Sequence, residues 1–317
     1  SYSWRVAFLL GPALGFVILF VRRNLPESPR WLVMHGRHEE AEQAVARIER
    51  ATEETGGRLD PVDESKAIDV TAASDIGFVV LARTLFSTYP GRSVLGATLM
   101  ITQSFLYNAI FFTYTLVLVK IYHVSTHLTP YYFVAFAAGN LIGPLTIGRL
   151  FDTIGRRKMI SGTYFIAGAL LLISAFMFKA GELDALTQTI SWVSLFFFAS
   201  AGASAAYLTV SEIFPVEVRA KAIAVFFAIA QTFGSFGPWF YGKLIGNGTN
   251  HTNLFYGYVI GAAVMIVGAI VEVFLGVNAE GRSLEDIANP LSAVGPSPHL
   301  SNVTGAPRPP AARPTLP

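Results

Sequence analysis

Gln103, Tyr107 and Phe111 recur four residues apart, so on a helix they stack along one face, with Asn108 and Thr115 at i and i+7 beside it. Amides and a phenol so arranged donate and accept hydrogen bonds while the rings offer a stacking surface, which is chemistry for holding a neutral polar molecule. The same groups also tie neighbouring helices together in an apolar medium. Gln231, amid Thr232, Gly234, Gly237, Pro238 and Trp239, extends this polar set, and so does Tyr207. Asn140, flanked by Gly139, Gly143 and Pro144, reads as a bend in its segment rather than a ligand. A second group is charged: Glu27, Asp152, Arg156, Arg157, Glu212 and Arg219 supply carboxylates and guanidinium groups able to pair. Nucleophilic or acid–base chemistry has little to work with. The chain has no cysteine, which excludes disulfides, thiol chemistry and cysteine-ligated metal or haem. No cofactor or metal is expected, and a net charge of +2 gives no reason to invoke nucleic acid.

The elements that position these residues follow from where the charges are not. Of 317 residues, 52% are hydrophobic and 14% charged, against about a quarter charged in soluble domains. Seven runs hold neither charge nor histidine: 6–21, 93–119, 128–148, 159–178, 185–211, 222–242 and 252–271. All but the first reach the roughly 20 residues that a helix needs to cross a hydrocarbon core. The pattern predicts an all-α membrane protein with seven transmembrane helices. Counting Lys and Arg on alternate loops gives nineteen against four, which places the C-terminus in the cytoplasm and residue 1 outside. An odd number of spans starting outside, with Ser1 in place of Met, is what a chain lacking several N-terminal helices would show.

Between the first two spans, 36–55 sets Ala41, Ala44, Val45 and Ile48 on one face among Glu and Arg, a short amphipathic helix. Segment 76–86 is apolar but interrupted by Arg83 and too short to span, so it is expected along the interface. Pro290 begins a proline-rich tail with few large apolar side chains, expected to be disordered. Asn247 and Asn250 each begin an Asn-x-Thr sequon on the outer side, best taken as chance.

Residues 148–158 read Gly-Arg-Leu-Phe-Asp-Thr-Ile-Gly-Arg-Arg-Lys between two spans. Gly148, Leu150, Asp152, Gly155, Arg156, Arg157 and Lys158 fit the loop motif of the major facilitator superfamily, which this chain resembles. Three further segments resemble its sugar-porter branch: Pro26-Glu27-Ser28-Pro29-Arg30-Trp31-Leu32, Ser211-Glu212-Ile213-Phe214-Pro215 with Arg219 and Lys221, and Gly281-Arg282-Ser283-Leu284-Glu285. The resemblance covers 1–289 and numbers the spans six to twelve of a twelve-helix fold. It implies these domains: 1–21 the last helix of an N-terminal bundle, 22–93 a cytoplasmic inter-bundle segment with short amphipathic helices, 94–277 a C-terminal six-helix bundle, and 278–317 a cytoplasmic tail.

The resemblance further implies transport of a small polar solute, a sugar or organic metabolite, by alternating access in the plasma membrane, coupled to protons or, alternatively, facilitative. Partners are then the solute, protons, the lipid bilayer and the missing N-terminal bundle. Gln103, Asn108, Tyr107, Thr115, Tyr207, Gln231 and Trp239 become substrate-binding candidates, and Glu27, Asp152, Arg156, Arg157, Glu212 and Arg219 a cytoplasmic gate. The branch's sugar contacts are only partly present. Thr102-Gln103-Ser104-Phe105-Leu106-Tyr107-Asn108 keeps one Gln and the Asn of its seventh-helix pattern, and Ala203, Ser204 and Tyr207 replace its Gly, Pro and Trp. The closing motif has become Val277-Asn278-Ala279-Glu280-Gly281. The one acid near the end of a span, Glu272, reads as interfacial. A seven-helix receptor or retinal protein is the reading from another class; it leaves the four motifs unexplained and finds no Lys in the last span for a Schiff base. A membrane-embedded enzyme lacks ionisable groups in the spans.

Overall fold

A computed structural model describes residues 3–23, 27–57, 76–248, 251–280, 282 and 284–291. Every regular element among them is helical, and they fall into two compact units, one before position 58 and one from position 76 onward. Pro26, Asn250, Gly281, Ser283 and the proline-rich tail beyond 291 lie outside the described residues.

The first unit holds α1 (Ser3–Arg23), α2 (Pro29–Met34) and α3 (His38–Glu54). α1 carries the apolar run 6–21 and closes on Arg22 and Arg23, cations at the negative end of the helix dipole. α2 begins at a proline, whose missing N–H costs nothing in a first turn. α3 is the amphipathic helix predicted over 36–55, with a narrower buried face: Ala41 and Ala44 pack against Leu32 of α2, while Val45 and Ile48 stay exposed. Two small residues admit the short helix closely; the longer side chains beside them do not reach the contact. Arg37 grips Glu40 with Nε and Nη2 at 2.8 and 2.6 Å. That hydrogen-bonded pair lowers the Glu40 carboxyl below its ordinary range and raises the Arg37 guanidinium.

The second unit begins with α4 (Phe78–Arg83), which widens into a π-helical turn at Thr84–Thr88. Leu81 and Leu85 are buried and Phe78 and Val79 exposed, so the segment lies with one face on the bundle. A 31-residue stretch, Pro90–Lys120, follows in three pieces: α5 (Pro90–Leu106), a second π-helical turn at Tyr107–Phe111, and α6 (Tyr114–Lys120). Then come α7 (Thr129–Thr153), α8 (Arg156–Ala180), α9 (Ala185–Glu212), α10 (Val216–Ile245), α11 (His251–Leu275) and the short α12 (Leu284–Ile287). Among the described residues six helices, all in this unit, are long and apolar enough to cross a membrane. With the 21-residue α1 they account for the seven charge-free runs.

In lipid, apolar side chains gain little by leaving one another for the bilayer, so close contact between small residues decides which helices pair. α8 packs most extensively on α11, α7 on α9 and α10 on α5. A Cβ on Gly139 of α7 would lie 2.7 Å from Val193 Cγ1 of α9, and one on Gly143 would overlap the Phe197 carbonyl. The glycines expected to bend this segment are the seam on which α9 sits, and α7 runs unbroken through Pro144. The turn before α8 needs Gly155, whose φ of +111° is closed to other residues. α9 starts on a capping box in which Asp184 Oδ1 accepts from the Thr187 N–H at 2.7 Å.

Candidate functional site

The π-helical turn at Tyr107–Phe111 organises the polar residues of the second unit. A π turn holds an extra residue, so side chains beyond it lag behind the positions a regular helix would give them. Gln103, Tyr107 and Phe111 still share one face, the one toward α9, where Gln103 meets Ala199 and both rings meet Phe196. Gln103 is buried, donating Nε2–H to the Ala199 carbonyl of α9 at 3.2 Å, while its Oε1 has no partner. Tyr107 donates its hydroxyl to Asn140 Oδ1 of α7 at 2.6 Å and sets its ring edge-on to Phe196, centroids 5.0 Å apart. Phe111 joins an aromatic cluster with Phe133, Phe136 and Phe196.

Asn108 turns the other way, toward α10. Its Nδ2 donates to the Ser104 carbonyl at 2.7 Å, and the Ser104 hydroxyl donates to Gln231 Oε1 at 2.5 Å. Asn108 and Ser104 are half-buried and Gln231 is exposed, so the three form a polar patch open on one side. Gly234, one turn beyond Gln231, makes room for it: a Cβ there would lie 2.7 Å from Asn108 Nδ2 and overlap the Ser104 hydroxyl. Thr115, Tyr207 and Trp239 are exposed and make no hydrogen bond with this patch. Tyr207 leans toward Phe227 at 6.4 Å between centroids, and Trp239 carries Lys243 Nζ at 4.1 Å over its ring. The seven candidates thus resolve into a patch (Asn108, Gln231), a buried helix tie (Gln103), a phenol–amide couple (Tyr107) and three surface residues.

The charged candidates separate in the same manner. Arg156, at the start of α8, donates Nη1 to Glu212 Oε2 at the end of α9, and its Nη2 lies 3.5 Å from Asp152 Oδ1. The Arg156 backbone N–H donates to Glu280 Oε2 at 3.3 Å, against the bare face of Gly155. Arg157 reaches across to α11, donating Nε to the Val273 carbonyl at 3.0 Å. Arg219 donates Nη2 to the Phe214 carbonyl at 3.3 Å. Glu27 belongs to the first unit.

Sequence reasoning missed four participants. Ser104 lies one turn before Asn108, but its contact with Gln231 joins positions 127 apart. Arg92 donates Nη1 to the Ile213 carbonyl at 2.6 Å, and Glu280 meets Arg156; both contacts join distant positions and leave no local signal. Glu272, expected at the interface, is fully buried, because α8 covers that face of α11.

The family model described as sugar (and other) transporter matches residues 1–291. The chain belongs to that family. Relatives include the hexose transporter HXT13 of Saccharomyces cerevisiae, 27% identical over 90% of this chain and 52% of its own length. The niacin transporter NiaP of Acinetobacter baylyi is 25% identical over 90% and 61%. The glucose facilitated diffusion protein of Zymomonas mobilis is 25% identical over 86% and 56%. A crystal structure of a double-tryptophan mutant of XylE superposes with a TM-score of 0.59 at 23% identity, covering 87% of this chain and 56% of the other. The fold is thus the all-α membrane fold of the major facilitator superfamily, and the chain spans little more than half the length of these relatives. Family membership makes it a multi-pass membrane protein of a transporter class, not an enzyme class.

Proposed function

We propose that this chain is part of a carrier that moves a small polar solute, a sugar or organic metabolite, across the plasma membrane by alternating access with proton coupling. The observation that carries the reading is the patch of Ser104, Asn108 and Gln231, open on one side in the middle of charge-free helices. Amide and hydroxyl groups suit hydroxyls or a neutral ring nitrogen, and the hexose and niacin transporters among the relatives span that range of solutes. The buried Oε1 of Gln103 adds an acceptor without a donor, which is costly by about 1–3 kcal/mol unless a ligand or water supplies one.

On this reading α1 is the last helix of an N-terminal bundle, 22–93 joins the bundles on the cytoplasmic side, 94–277 is the C-terminal bundle and 278–317 a cytoplasmic tail. The N-terminal bundle closes the open side of the patch. Tyr107, Thr115, Tyr207 and Trp239 line the path, and Asp152, Arg156, Arg157, Glu212 and Arg219 belong to the gate that rocking breaks. A facilitative carrier is the second reading, favoured by the facilitated-diffusion relative. Uptake of labelled hexoses, polyols and pyridine carboxylates by the complete transporter in liposomes tests both. A saturable flux that collapses with protonophore supports coupling, an unchanged flux supports facilitation, and no flux of any of these solutes overturns the reading.

A further inference from the structure

Near the end of α11, Glu272 is 0% exposed, and neither carboxyl oxygen has a hydrogen-bond partner. A Cβ added at Gly276 would lie 2.7 Å from Glu272 Oε1 and 2.8 Å from Arg157 Cγ, so the carboxyl is wedged between the end of its own helix and the apolar stem of Arg157. The guanidinium of Arg157 does not pair with it. Nε and Nη2 both donate to the carbonyl of Val273, the next residue along.

Other charged groups on the helices packed against α11 are engaged elsewhere. Arg92 of α5 donates to the Ile213 carbonyl, and from α10 Arg219 donates to the Phe214 carbonyl and Lys221 to the Ile76 carbonyl. The remaining titratable neighbour from α8, Tyr164, gives its hydroxyl to the Leu99 carbonyl at 3.1 Å. A carboxylate without donors is poorly tolerated in an apolar interior and takes up a proton instead. If packing alone governed this position, Leu would fill it at no such cost; ionisable groups at membrane depth mark proton or ion sites.

We propose that Glu272 is a proton-binding site of this bundle, neutral while Arg157 is docked on the Val273 carbonyl and ionised when Arg157 turns to it. In that step the O–H bond of Glu272 breaks, its proton passes to water at the end of α11, and the carboxylate left behind pairs with the guanidinium. One proton is released and one ion pair formed. Arg157 sits in the same turn as Arg156, so opening the Arg156–Glu212 contact frees the helix end that carries both. The link to solute movement rests on the transport reading above; the protonation of Glu272 does not.

Infrared difference spectra of the complete transporter in liposomes, recorded across a pH titration, test the site directly. At neutral pH the protein gives the carbonyl band of a neutral, weakly hydrogen-bonded carboxylic acid, and Glu272→Gln removes it. Arg157→Ala, which deletes the cation that stabilises the ionised form, moves the loss of that band to higher pH. Uptake falls by about tenfold per pH unit on the alkaline side of this single ionisation, and Glu272→Gln flattens that limb. A band absent at neutral pH, or one that survives Glu272→Gln, overturns the proposal. If the band behaves as stated while the liposomes take up no solute, the transport reading fails and the proton site stands.

Discussion

The contact around Arg156 and the patch around Gln231 both join polar side chains from different helices, but they rest on different physics. Arg156 and Glu212 sit at helix ends with only 13% and 22% of their side chains exposed, beside an Asp152 that is 69% exposed, so the pair is sheltered while closed and close to water once it parts. Ser104, Asn108 and Gln231 lie mid-helix on a face left open, so these neutral amides and hydroxyl retain unused hydrogen-bonding capacity for a ligand. A charged contact that regains water when it parts suits a gate; an open set of neutral donors and acceptors suits a binding surface.

That contrast can be broken by mutation. The largest effect is expected from Gly234→Val, which drives side-chain atoms into Ser104 and Asn108. Overpacking of this kind costs about 1–3 kcal/mol, so both thermal stability and solute binding should fall, measured by differential scanning fluorimetry and equilibrium binding. Next come Asn108→Ala and Gln231→Ala, which remove hydrogen-bonding groups from an already open patch. Uptake efficiency should drop by about 10–100-fold with little change in melting temperature, as the loss of one or two buried hydrogen bonds to a ligand implies. A parallel loss of stability would instead mark them as helix ties.

Glu212→Gln keeps an acceptor for the Arg156 guanidinium and removes only the charge, so it should do less to stability, about 1 kcal/mol. It should nevertheless raise the rate at which thiol reagents reach single cysteines placed near the ends of α7 and α8. The smallest effect belongs to Asp184, which touches neither region. Its carboxyl is lowered by hydrogen bonds from Thr187, so its contribution is present above the ordinary value of 3.8 and fades as pH falls through its own lower value. Asp184→Ala should lower the melting temperature slightly at neutral pH and leave it nearly unchanged in strong acid.

The same contrast explains what could be read in advance. Spans and loops are written in charge, because charge is excluded from the apolar layer and must collect at helix ends; that Arg156 and Glu212 belong together comes only with the family resemblance. The patch is written in helix phase, and phase is altered by the π turn at Tyr107–Phe111, which no residue pattern announces. Up to that turn the regular spacing holds: Gln103, Tyr107 and Phe111 meet α9, and Asn108, one position round the helix from Tyr107, faces α10 while bonding Ser104 at i, i+4. Thr115, counted from the same regular period, lands on the surface. Ser104 enters the patch through Gln231, a contact 127 positions distant that local spacing cannot show.

The central claim is that the Ser104–Asn108–Gln231 patch touches the solute, and this cysteine-free sequence offers a direct test. Ser104→Cys, introduced as the one thiol of the complete transporter, should react with a small maleimide, and the transported solute should slow that reaction in proportion to its occupancy. Labelling that proceeds at the same rate at saturating solute would contradict the account.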